Sequence, residues 1–264
     1  MPAEPSSSGG RLLVEEDGPA LILRMSNPGR ANALDEAILD ALASLLHAPP
    51  PAARAVLLGG DGDRHFSAGL DVGGEGDPIE RMRAGERRLG AAVAAVADCP
   101  IPVIGVVNGA AAGGALELAI ACDWRIAGAG ARLAMPATRF GVVYTADGLR
   151  RFVAAMGPGR TRRMFLTGAP IEADEALAVG LVDHVVEPAG LWGAARAAVN
   201  EVAAGAPLAV AGTRAVVRAL SDGSPAADVE ETARRWRERA YASDDMREGQ
   251  AAFREKRPPE FTGR

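Results

Sequence analysis

The sequence predicts an α/β fold that closes with a helical C-terminal section, and three observations predict it. A short apolar run, a glycine-rich loop and a helical stretch follow one another twice, first at "RAVLLGGDG" and again at "IPVIGVVNG". Strand formers fade after about Pro188, and helical patterns take over to the end of the chain. With 264 residues, 48% of them hydrophobic, the chain can bury one large core.

The elements follow in order. The first ten residues, "MPAEPSSSGG", read as a disordered tail without the charged-then-apolar layout of a secretory signal. "RLLVEEDGPALILRMSN" is two strands about a turn at Asp17, Gly18 and Pro19. "LDEAILDALASLLHA" places apolar residues at helical spacing behind Asp35 and Glu36, where a first turn favours acids. The two strand–loop–helix repeats come next, and "CDWRIAGAGARLAMPA" adds short strands. "GPGRTRRMFLTG" and "IEADEALAVGLVDHVV" read as helix, turn, helix and closing strand. Residues 11–188 thus form the core and residues 189–264 a helical section. Pattern alone does not separate a doubly wound sheet from a spiral of short sheets.

Composition narrows the function classes. The net charge of −5 is spread along the chain, and no basic stripe favours nucleic acid. No apolar run reaches the length of a membrane span. Cys99 and Cys122 have neither metal-ligand nor disulfide-framework spacing, so they read as packed thiols in a reducing cytoplasm, and no metal site is indicated. The histidines His47, His65 and His184 lack a Ser-His-Asp context, and neither glycine loop has dinucleotide-binding spacing. Of the 29 basic residues only Lys256 is a lysine.

One residue poses a chemical question. Glu117 is the sole acid within the core-like run "VVNGAAAGGALELAIAC", and a buried carboxylate needs a partner, a proton or a task. A structural arginine pair is one answer. A site is the other: a glycine loop feeding a helix offers free N–H groups that stabilise an anion. Gly113 and Gly114 sit at such a junction, and Glu117, three residues on, projects from nearly the same face.

At this point a resemblance enters. "PGRANALD" (28–35), "HFSAGLDV" (65–72), "VNGAAAGGALELAIACD" (107–123) and "AFREKRPPEF" (252–261) occur in order, and together they resemble the crotonase superfamily, the enoyl-CoA hydratase/isomerase family. The resemblance implies a spiral of repeated ββα units whose C-terminal helices assemble trimers or hexamers. It implies an acyl-CoA substrate, with coenzyme A as part of that substrate and no bound cofactor. The N–H groups of Leu70 and Gly114 match the oxyanion hole that holds the thioester oxygen, a contact worth about 3–4 kcal/mol per donor in comparable sites. Arg30 with Ala31, Ala68 and Lys256 match coenzyme A contacts, the last often made across a subunit boundary. "FSAGLD" has a plainer alternative, a strand-to-helix connection with Asp71 as N-cap.

The chain also departs from the family's hydratases. Glu117 matches the first of their two glutamates, but Ala137 stands where the second belongs, after the proline of "AMPATRFG". Tyr144 in "RFGVVYTADG" resembles the methylmalonyl-CoA decarboxylase branch, although Leu70 replaces a histidine found there. The favoured expectation is therefore decarboxylation of a malonyl-type CoA ester, with Glu117 and Tyr144 as catalytic groups. A hydratase or isomerase with a single glutamate is the alternative, and a non-catalytic acyl-CoA-binding homologue a further one. Tyr144 also has a structural reading as a packed ring with a wet hydroxyl.

Overall fold

The computed structural model describes residues 9–264. The expected tail lies outside the described residues as far as residue 8; Gly10 is already buried, because its N–H donates to the Asp35 carboxylate. Strands β1 (Arg11–Asp17) and β2 (Ala20–Ser26) form the antiparallel hairpin. Helix α1 (Glu36–His47) starts where Asp35 accepts the Ile38 N–H at 3.0 Å, and it buries Ile38, Leu39, Leu42 and Leu46 along one stripe.

The repeated units follow: β3 (Ala55–Gly60), β4 (His65–Ser67) and α2 (Pro78–Asp98), then β5 (Val103–Val107), β6 (Ala110–Ala112) and α3 (Gly114–Ala121). A third unit comprises β7 (Trp124–Gly128), β8 (Arg132–Ala134), a short 3₁₀ turn at Ala137–Phe140 and α4 (Ala146–Thr167), which bends at Gly157 ahead of Pro158. Strand β9 (Ile171–Glu172), α5 (Ala173–Ala178) and β10 (His184–Val186) complete the core, and α6 (Leu191–Ala203), α7 (Pro207–Ser221), α8 (Ala226–Tyr241) and α9 (Asp244–Glu255) end the chain.

The first strand of each repeated unit enters one sheet and the second enters another, giving the orders β1-β2-β3-β5-β7-β10 and β4-β6-β8-β9. This is the ββα spiral rather than a doubly wound sheet. Both faces of the larger sheet are covered, which is why its central strands read as unbroken apolar runs. Leu21, Leu23, Val56 and Leu58 face the helices α1 to α3, while Ile22, Leu57, Ile104 and Val106 face Leu191, Ala195 and Val199 of α6. The core thus extends into the helical section, since α6 is a layer on the sheet.

Helix α7 packs on α8 and reaches back to α2. The last turn of α2 has no basic residue of its own, and Arg214 and Arg218 of α7 supply the charge from outside. Arg214 donates to the carbonyls of Val96 (3.1 Å) and Ala97 (3.0 Å), and Arg218 to Ala97 (2.6 Å). Among the described residues no helix is long and apolar enough to cross a membrane.

Asn108 ties the exits of the two repeated strands together. Its Oδ1 accepts the Gly60 N–H at 2.9 Å, and its Nδ2 donates to the carbonyls of Gly60 (3.0 Å) and Gly62 (2.8 Å). Asn108→Ala strands these buried groups and is expected to cost about 2–4 kcal/mol. Urea unfolding measures this, and a loss below about 1 kcal/mol would show that the clamp is dispensable.

Candidate active site

The site begins with two backbones that pass close together. Leu34 and Leu70 form a parallel bridge: the Leu34 N–H donates to Gly69 at 2.8 Å and the Asp71 N–H donates to Leu34 at 2.9 Å. Backbone groups alternate along an extended strand, so this bridge turns the Leu70 N–H away from Leu34. On that other side lies the β6–α3 junction. A Cβ on Gly69 would lie 2.7 Å from the Ala112 carbonyl oxygen and 3.4 Å from the Gly114 nitrogen, and Gly69 has φ +94°, so glycine is required on both counts. Neither the Leu70 nor the Gly114 N–H has an acceptor among the described residues. Both residues line one cavity of about 170 Å³, which is the environment in which two free donors hold developing negative charge.

Glu117 lines the same cavity one helical turn along α3 and is only 6% exposed. It has partners. The Tyr144 hydroxyl donates to Oε2 at 2.5 Å, and Arg151 of α4 stands 3.5 Å from Oε1. Burial raises the Glu117 pKa above the ordinary glutamate value, against the opposing pull of the Tyr144 hydrogen bond and the Arg151 charge. Burial, followed by the charge of Glu117, pushes the Tyr144 phenol far up, so it stays protonated and remains a donor. The ring is held edge-on by Phe165 and Phe152, with centroids at 5.4 Å and 6.4 Å. Gly148 makes room for it, since a Cβ there would lie 2.5 Å from the ring. Of the structural reading of Tyr144, the packed ring is present, but the hydroxyl is bonded to Glu117 and not left to water.

The other expected residues divide. Ala68 is exposed at the cavity, and its carbonyl accepts no hydrogen bond among the described residues. The Ala31 carbonyl accepts the Ala68 N–H at 3.0 Å, while Ala31 itself has φ +51°. Arg30 is exposed beside this segment and is ion-paired with Asp71. Asp71 is not a helix cap, because Asp77 caps α2. Ala137, at the position that the resemblance gives to a second glutamate in hydratases, lines the cavity. Lys256 ends α9, exposed, and is not part of the cavity wall.

Sequence reasoning did not assign Arg151 to Glu117; the signal was the buried acid's need for a cation, but several arginines near residue 144 met it equally. It missed Glu86 of α2, which also lines the cavity, because an acid in a charged helix looks like a solvated face.

An α/β spiral with paired free amides over a carboxyl-bearing cavity is the arrangement of a site that can hold developing negative charge beside a carboxyl group. Comparison with known proteins gives the family. The enoyl-CoA hydratase/isomerase family profile matches residues 16–264. A carnitinyl-CoA dehydratase of Salmonella arizonae is 35% identical, covering 96% of this chain and 98% of that protein. The crystal structure of an enoyl-CoA hydratase from Bacillus anthracis superposes with a TM-score of 0.90 at 29% identity, covering 96% of this chain and all (100%) of that one. Pseudomonas aeruginosa DspI superposes at 0.89 with 32% identity, covering 98% of this chain and 100% of that one. The chain belongs to the enoyl-CoA hydratase/isomerase family, within the crotonase superfamily, and is an acyl-CoA thioester enzyme of that family.

Because the Tyr144 hydrogen bond favours the charged carboxylate, Tyr144→Phe is expected to raise the Glu117 pKa further. The carboxylic-acid carbonyl band of Glu117, identified by its loss in Glu117→Gln, then persists to higher pH in infrared titration. A shift to lower pH would contradict the assigned bond.

Proposed function

We propose that this enzyme moves a proton along an enoyl-CoA thioester, with Glu117 as the only acid–base carboxyl at the reacting carbons. In an enoyl isomerisation the Glu117 carboxylate takes a proton from C2 of a 3-enoyl-CoA. The C–H electron pair becomes the C1=C2 bond of a dienolate, and negative charge settles on the thioester oxygen, held by the Leu70 and Gly114 N–H groups. The protonated Glu117 returns its proton to C4, the double bond lies between C2 and C3, and the carboxylate is regenerated. A raised pKa suits a base that takes and gives back a proton near neutral pH. Tyr144 holds the carboxylate in place through its hydroxyl.

The observation that carries this reading is the single engaged carboxyl: Glu117 is bonded to Tyr144, and Ala137 occupies the place of a second acid. Hydration or dehydration by the same glutamate is the second reading, favoured by the similarity to a hydratase and a carnitinyl-CoA dehydratase. Malonyl-type decarboxylation has less support. Its carboxylate needs a donor, but the Tyr144 hydroxyl is bonded to Glu117, and the cavity wall carries two acids and no arginine, lysine or histidine.

The proposal includes a homotrimer or hexamer, supported by Phe140 and Val143, which expose 68% and 92% of their surface beside the cavity wall. It also places Arg30, Ala31, Ala68 and Lys256 at coenzyme A, in a cytoplasmic enzyme.

Incubation with a 3-enoyl-CoA, crotonyl-CoA and methylmalonyl-CoA is the test. The expected result is conversion of the 3-enoyl ester, reduced about 10²–10⁴-fold in Glu117→Gln. Carbon dioxide release from methylmalonyl-CoA that is lost in Tyr144→Phe would overturn it in favour of decarboxylation. Binding without turnover of any ester would leave a non-catalytic homologue.

A further inference from the structure

Glu86 lies on the face of α2 that forms one wall of the cavity, in register with Met82, Leu89 and Gly90 at helical spacing. Other charged residues of that helix are paired, Glu80 with Arg83 and Arg88 with Glu36 and Asp40. Glu86 has no ion pair or hydrogen bond among the described residues. It is the second carboxyl of a cavity whose remaining wall is chiefly apolar, with Phe140 and Tyr144 among the lining residues. Its charge reaches across the cavity, since it helps to raise the Tyr144 phenol.

We propose that Glu86 is a specificity-determining residue that reads charge on the acyl chain: it disfavours acyl groups tipped by a carboxylate and favours those tipped by a cation. The proposal deepens the reading of this cavity as an acyl-CoA site and rests on it. The physical case is simple. A carboxylate-tipped chain entering here meets the free charge of exposed Glu86 and no arginine, lysine or histidine among the lining residues, the nearby Arg151 being paired with Glu117 at 3.5 Å. A cationic tip meets a carboxylate in a wall that also carries two aromatic side chains, Phe140 and Tyr144. No proton or electron is moved by Glu86 in this role.

Affinity for unreactive esters separates this proposal from the reaction itself. Valeryl-CoA, glutaryl-CoA and 4-(trimethylammonio)butyryl-CoA have similar chain lengths and carry a neutral, an anionic and a cationic tip. Their dissociation constants are measured by calorimetry on the full chain, on Glu86→Gln and on Glu86→Lys. The expected order in the unmodified protein is cationic, neutral, anionic from tightest to weakest. The ratio of anionic to neutral Kd is expected to fall about tenfold in Glu86→Gln, the size of one unit-charge interaction across a partly solvated pocket, and to fall further in Glu86→Lys. Each ratio is internal to one variant, so a general loss of affinity does not imitate the effect. Ratios that stay the same in both variants overturn the charge-reading role, even with turnover intact. Failure of all three esters to bind instead overturns the acyl-CoA reading on which it stands.

Discussion

The passage of Gly69 over Ala112 and Gly114 sets the terms for everything at the site. Two main-chain donors converge only if the strand bearing Leu70 lies almost on the β6–α3 junction, and a side chain at residue 69 would meet the Ala112 carbonyl at 2.7 Å. The Leu34–Leu70 bridge then fixes which way the Leu70 amide turns. Leucine at residue 70 leaves its main-chain N–H free at the cavity, while its side chain packs against α2. The Glu117 carboxyl arrives on the same helix as the Gly114 amide, so amide and carboxyl share one element.

Tyr144 changes the meaning of Glu117. An acid alone in an apolar wall is costly, yet here burial is answered by a hydroxyl at 2.5 Å and a guanidinium at 3.5 Å. The balance leaves a carboxyl with a raised pKa and a fixed orientation. The hydroxyl has a single hydrogen bond to donate, and in this arrangement it is made to the Glu117 carboxyl.

Much of this was readable from residue order, for stateable reasons. The strands β2, β3 and β5 stand out because both faces of the large sheet are buried, which leaves no polar interruption. Gly114 and Glu117 could be placed together because a helix fixes their spacing. The three-residue strands β4 and β6 could not be told from loops, since their identity lies in pairing with each other and not in any period of their own. Asp71 was open to being a helix cap because the five residues of loop between it and Asp77 leave no periodic trace. The Tyr144–Glu117 bond, between residues 27 apart, depends on the bend of the chain through Gly141 and on the space at Gly148. The role of α6 as a sheet layer was hidden because an amphipathic stripe does not say which surface it covers.

The arginines that α7 lends to the end of α2 have a thermodynamic consequence. Helix α2 carries one wall of the cavity at its middle and the docking site of α7 at its end, so occupancy of the first and attachment of the second are linked functions of one rigid body. Whatever free energy a ligand on α2 adds to the hold on α7, docking of α7 returns to ligand affinity in the same amount, so the two sites are coupled reciprocally through the arginines at the end of α2.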